Sequence, residues 1–138
     1  MVETLRAAAV PLAVVIRGGD RGVGTEFVTP QDAPMQLGIL THPRGYKVAA
    51  HSHQDVARVT KTCETLLIRS GRIRADIFDE QGKFCESREL ATGDVILFLA
   101  GGHAIEVLED VDMIEVKTGP YAGELDKVLL RGATQGPS

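Results

Sequence analysis

The sequence predicts an all-β chain, a single sandwich or barrel of eight or more short strands. Two observations carry this prediction. Short apolar or alternating runs recur at close, fairly even spacing with Gly-containing turns between them, and no long segment shows helical periodicity. The length of 138 residues suits one domain. A domain of this size buries roughly 70% of the surface its unfolded chain exposes, so its core needs neither disulfide nor metal.

The elements follow in chain order. Residues 3–9 are Ala-rich and predict a short N-terminal helix. Residues 12–16, Leu-Ala-Val-Val-Ile, are rich in β-formers and predict a strand. Further strands are predicted over residues 35–41, over 46–53 after the turn Pro43-Arg44-Gly45, and over 64–69, closed by Ser70-Gly71. Residues 72–79 alternate, with Ile73, Ala75 and Ile77 on one face and Arg72, Arg74 and Asp76 on the other. Asp79-Glu80-Gln81-Gly82 makes a hairpin turn, with glycine where a positive φ costs little. Residues 83–90 return. Strands over 95–99, 103–108 and 111–117 complete the set, with the acidic run 106–112 expected as a solvated turn. A second short helix is expected over residues 122–130. The barrel core is expected over about residues 35–118, and residues 131–138 are expected to form a flexible polar tail.

Apolar residues make up 43% of the chain and charged residues 25%, ordinary for a globular protein. The net charge of −4 argues against a nucleic-acid surface. No run reaches the roughly 18 apolar residues that cross a bilayer. The apolar stretch 7–16 is interrupted by Pro11, and Glu3 cancels Arg6, so a strand is expected there and not a secretory signal. Cys63 and Cys85 match no disulfide framework or zinc motif and are expected as reduced thiols in a cytoplasmic protein. Cys63 should face away from the neighbouring Glu64 on an extended segment.

Two of the four histidines form His51-Ser52-His53. On a strand, residues two apart point to the same side, so both imidazoles can reach one ion. Glu64 opens the next predicted strand and reaches the same point if the two strands pair antiparallel. His103 follows a double glycine and supplies a third imidazole. Three nitrogens and one oxygen suit zinc, iron, manganese, nickel or copper, and an octahedral ion would keep two open positions.

This spacing resembles the cupin superfamily over about residues 46–117. Gly45 stands ahead of His51-Ser52-His53, and Glu64 is followed after six residues by Gly71. The second half reads Gly93-Asp94, the apolar run 95–100, Gly101-Gly102 and His103. Ten residues separate His53 from Glu64, more than the family's usual three or four, and this stretch is expected to lengthen the hairpin between the two strands. Leu99 stands where the family has proline, and Val107 where it has asparagine. The resemblance implies a jelly-roll barrel, the double-stranded β-helix of cupins, with minor helical segments at its termini. It implies a divalent metal on His51, His53, Glu64 and His103. Without a metal, the histidines would act as acid, base or hydrogen-bond donors.

Further residues are candidates around such a site. Arg58 can reach over the barrel mouth to bind an anionic substrate, or lie on the surface. Glu115 and Lys117 share one strand face and Ile114 and Val116 the other. Burying the apolar pair is the simpler outcome, whereas an inward Glu115 and Lys117 would be acid and base groups. Tyr121 either touches substrate or caps the core. His42 is expected to be exposed. Functionally, the resemblance implies a metal-dependent isomerase- or epimerase-like enzyme on a small polar molecule such as a sugar, sugar phosphate or sugar nucleotide. An Fe(II)-dependent dioxygenase and a non-enzymatic small-ligand or metal-binding module are the alternatives. A homodimer formed through an edge strand is expected, with residues 12–16 the candidate.

Overall fold

The computed structural model describes residues 1–130, apart from the side chains of Glu124 and Asp126. The tail expected at 131–138 lies outside the described residues. Strands hold about half of these residues and form a curled antiparallel sheet, a half-barrel.

The strands are β1 (Glu3–Ala7), β2 (Val10–Ile16), β3 (Gly24–Phe27), β4 (Gly38–Thr41), β5 (Glu64–Phe78), β6 (Phe84–Ala91), β7 (Val95–Phe98) and β8 (Gly102–Lys117). Six of them make the main sheet, in the order β1-β2-β7-β5-β6 with β8 paired to β5, and β3 and β4 form a separate two-stranded ribbon. No described helix is long and apolar enough to cross a membrane.

The N-terminus corrects the expected helix. Residues 3–16 form the hairpin β1–β2, turning at Ala8 with a positive φ of 50°. Helix propensity is a weak prior, and burial of Leu5, Leu12 and Val15 in the interior overrides it. The core therefore begins well before residue 35. The helix expected at 122–130 is a single 3₁₀ turn, Gly123–Asp126. The strand β3 stands where none was predicted.

The two predicted strands either side of Gly71 are one long strand, β5, and the two after Gly102 are one long strand, β8. They pair along their length, from Glu64 with Lys117 to Phe78 with Gly102, and the register slips between Ile68 and Ile73. Before this bulge Leu66 and Ile68 face the interior; beyond it Ile73, Ala75 and Ile77 do. The acidic run expected as a turn is strand. Asp112 pairs with Arg69 at 2.8 Å, Glu109 with Arg72 at 3.4 Å, and Glu106 with Arg74 at 2.7 Å.

The sheet's other face carries a second apolar cluster, in which Val14, Cys63, Leu97 and Leu99 pack beneath Val28, Met35 and Leu37. Cys63 thus faces away from Glu64, and burial pushes its thiol pKa up. Asp94 fastens the turn between β6 and β7. Its carboxylate accepts the backbone N–H groups of Gly18 and Ala91, each at 2.9 Å, and pairs with Arg17 at 3.0 Å.

Gly71 lies at the bulge with φ of 84°, and a Cβ there would overlap the carbonyl oxygen of Asp110 on β8. Gly71→Ala is expected to cost about 3 kcal/mol, from left-handed strain and overpacking together. Thermal unfolding should then occur on the order of 10 °C lower. Gly19→Ala, where an added Cβ meets nothing within 4 Å, is the control and should leave the midpoint unchanged.

Candidate functional site

The inner face of the half-barrel turns from apolar to charged at one rim. Glu64 is the first residue of β5 and stands opposite Phe98 of β7 on one side and Lys117 of β8 on the other. By strand alternation its side chain shares the face of the buried Leu66 and Ile68. His103, near the start of β8, comes back to the same place. Its Nε2 lies 3.7 Å from Glu64 Oε2, an ion-pair distance too long for a full hydrogen bond. Phe98 belongs to the interior core, and its ring lies flat against the imidazole, with centroids 3.8 Å apart and planes 10° from parallel.

Glu115 and Lys117 join this rim. They pair with Leu66 and Glu64 and so point inward, while Ile114 and Val116 stand exposed on the outer face. Burial of the apolar pair, the simpler expectation, is therefore corrected. The reason is register: Met113, on the same face as Glu115, packs against the interior cluster. The Lys117 ammonium lies 5.5 Å from the centre of the Tyr121 ring. Tyr121 is 82% exposed and does not cap the core.

The electrostatics hold Glu64 ionised. The His103 side chain, foremost, lowers the carboxyl's pKa below the usual carboxylate range, and the Lys117 charge and a contact from Glu115 add to this. Burial acts in the opposite sense and is outweighed.

The H-x-H pair is placed elsewhere. Residues 42–63 form no strand, which corrects the strand expected over 46–53 and the hairpin expected between it and Glu64. Both edges of β5 at Glu64 are already taken, by β7 and by β8, so no edge remains for a His51–His53 strand. The turn at Pro43 forms, with Tyr46 N–H donating to the Pro43 carbonyl at 3.2 Å. Beyond it, His51 and His53 are exposed. Their rings meet edge to face at 5.1 Å, and His51 Nδ1 lies 2.8 Å from the Ala49 carbonyl. The expected metal ligands thus fall into two pairs. Among the described residues no three His, Cys, Asp or Glu side chains are grouped to hold one ion, so the set does not fit a metal as it stands.

Arg58 does not share the rim. It lines a wide outer groove of about 990 Å³ with Phe27, Thr29, Gln36 and Thr60. His42 is half-buried, stacked on Tyr46 at 3.9 Å and 3.1 Å from the Thr25 hydroxyl. Sequence reasoning missed Phe98 as a site residue. β7 and β8 do not pair with each other, so no hairpin register announces the stack.

Comparison with protein families, with curated proteins and with solved structures finds no match for this chain.

Because the folded pKa of Glu64 lies below its unfolded value, the unfolded chain takes up this proton first as pH falls. The stabilisation is complete above the unfolded value and is lost as pH drops through the folded one. Glu64→Gln should therefore be less stable than the parent near neutral pH. The difference should shrink as pH falls below the ordinary carboxylate range and through the folded value. Urea unfolding at a series of pH values measures it, and a gap independent of pH would contradict the ion pair.

Proposed function

We propose that this chain is a cupin-like enzyme that shifts a proton between two carbons of a small polar substrate, an isomerase- or epimerase-like reaction on a sugar, sugar phosphate or sugar nucleotide. The observation that carries this reading is the Glu64–His103 pair, at 3.7 Å on the rim of the half-barrel with Lys117 paired across from Glu64. Glu64 stays a carboxylate near neutral pH and is a poor proton carrier there. Its role is to orient and charge-compensate the imidazole. Imidazole is the side chain whose ordinary titration lies nearest neutral pH. His103 takes the proton from the carbon beside a carbonyl, and the substrate's electron pair moves onto the carbonyl oxygen as an enediolate. Lys117 and Tyr121 supply charge and a hydrogen bond to that oxygen. The proton of the neighbouring hydroxyl passes to the enediolate oxygen, and His103 returns its proton to the former carbonyl carbon, leaving the carbonyl one carbon along. The free thiols of Cys63 and Cys85 suit a reducing compartment, and the cytoplasm is the proposed location.

A screen of aldose and ketose phosphates and sugar nucleotides in D₂O tests this. Proton NMR should show loss of the signal from the carbon beside the carbonyl of the true substrate. His103→Ala should slow the exchange by about 10²–10⁴-fold, the usual worth of a positioned acid–base group, with the fold intact. Exchange unaffected by His103→Ala would sink the reading.

A second reading keeps a divalent metal, zinc, iron, manganese or nickel, on His51, His53, Glu64 and His103. It is favoured by the adjacency of the two imidazoles on a segment that runs directly into Glu64. With iron it leads to the dioxygenase, and without turnover to a metal- or ligand-binding module. Calorimetric titration of each ion, anaerobically for Fe(II), separates the two readings. The expected result is binding by the exposed histidines alone, weaker than about 10 µM, lost in His51→Ala and unchanged in His103→Ala. Tight one-to-one binding abolished by either substitution would establish the four-ligand centre instead.

A further inference from the structure

Residues 12–16, the strand expected to pair with a second copy, have no free edge, because β2 is paired on both sides, with β1 and β7, and these side chains are buried. The surface has room for a ligand elsewhere, in the outer groove of about 990 Å³. That volume lies within the range of small-molecule sites. Neither Glu64 nor His103 lines the groove, so it is separate from the rim.

One lining segment is the loop 28–37, which is closely tied to itself and to the sheet. The Gln36 amide donates to the carbonyls of Pro30, Gln31 and Ala33 at 3.1, 3.3 and 3.2 Å, and its oxygen accepts from the Thr29 hydroxyl at 2.8 Å. Val28, Met35 and Leu37 pack on the buried outer cluster. Beside this loop the Phe27 ring lies over Gly38, where an added Cβ would meet it at 3.1 Å, and the ring stays 60% exposed. The other lining segment, 58–60, contributes Arg58 and the fully exposed Val59.

The charges decide what fits. The lining holds one cation, Arg58, and one anion, Asp32. Neither has a hydrogen-bond or ion-pair partner among the described residues, and they do not pair with each other. Every other described arginine except Arg44 is bonded to a carboxylate or a backbone carbonyl. The remaining polar groups of the groove are mostly engaged within the chain, Thr29 and Gln36 in the loop and Thr60 with the Lys61 carbonyl. Only the Gln31 amide is left. A sugar would therefore find few partners for its hydroxyls. A purely anionic ligand would meet Asp32, and a purely cationic one Arg58. A neutral apolar ligand would take water from both charges without replacing it.

We infer that the groove binds a small zwitterion with an apolar side chain, an amino acid or a short peptide. Its carboxylate takes the Arg58 guanidinium, its ammonium takes Asp32, and its side chain lies against Phe27 and Val59. The proposed reaction at the rim is not needed for this binding.

Calorimetric titration of the full chain with leucine, phenylalanine and leucyl-phenylalanine tests it. At least one should bind one to one with a Kd below about 1 mM. Tighter binding of a single amino acid marks that as the ligand class, and tighter binding of the dipeptide marks peptide ends. Acetylating the ammonium or amidating the carboxylate of the best ligand should each weaken binding at least about tenfold. Arg58→Ala and Asp32→Asn should do the same with circular dichroism unchanged, since both residues are exposed. His103→Ala should leave the affinity as it is. No binding below about 1 mM by any of the three overturns the inference. So does binding that survives either cap or either groove substitution, or that His103→Ala abolishes. Glucose 6-phosphate is the control for a bare anion site: binding as tight as the zwitterion's, and tightened by Asp32→Asn, also overturns it.

Discussion

The rim depends on how far the β5–β8 ribbon bends. Glu64 and Ile77 are thirteen residues apart on β5, which on a straight strand at about 3.3 Å per residue is roughly 40 Å. His103 pairs with Ile77, yet its imidazole lies 3.7 Å from Glu64. The ribbon therefore curls until its two ends face each other. The register irregularities between Ile68 and Ile73 supply the bend, and Gly71 lets the backbone of β8 pass where any side chain would collide.

The same bulge keeps the interior apolar. Strand alternation places even-numbered residues inward before it and odd-numbered residues inward after it. Were the alternation unbroken, Arg72, Arg74 and Asp76 would point into the core in place of Ile73, Ala75 and Ile77. Burying those charges without partners would cost far more than the bulge does. On the outer face they find partners instead. Asp76 accepts from Ser87 Oγ at 2.6 Å and lies 3.2 Å from Arg74, which also reaches Glu106. One irregularity thus serves the fold, by sorting side chains, and the rim, by bringing Glu64 and His103 together.

Much of the fold was legible because alternation and glycine turns are local signals. The face assignment of 72–77, the hairpin at Asp79-Gly82, the return strand and the strand before Gly101 all follow from residues within a few positions of one another. The motif residues divide along the same line. Gly71 is explained by the close passage of the β8 backbone at the bulge, and Asp94 by the Ala91 N–H that it accepts in its own turn. Glu64 and His103 are brought together by the long ribbon. His51 and His53 are not brought in with them, because their place depended on which strand takes the edge of β5. That is a competition between distant segments, and local pattern does not decide it. Val95 to Phe98 and Ile114 to Lys117 win it, and residues 42–63 are left without an edge. The Ala-rich N-terminus was misread for a related reason: a partner strand and a core position for Leu5 outweigh the preference of alanine for helix.

Phe98 ties the rim to the core more tightly than the charged residues do. Its ring belongs to the interior apolar cluster and lies flat against His103. The imidazole plane is therefore set by core packing, and the direction of Nε2 towards Glu64 follows from that plane. Interiors at crystal-like density deform little, so a ring held in this way is held closely. Glu64 is fixed by backbone pairing on both sides of its strand, to Phe98 and to Lys117. Two groups with different anchors, one packed and one hydrogen-bonded through its backbone, thus keep a short separation without needing to grip each other. In the proposed reaction this leaves His103 free to give up the proton it takes, because a tighter hydrogen bond to the carboxylate would hold that proton.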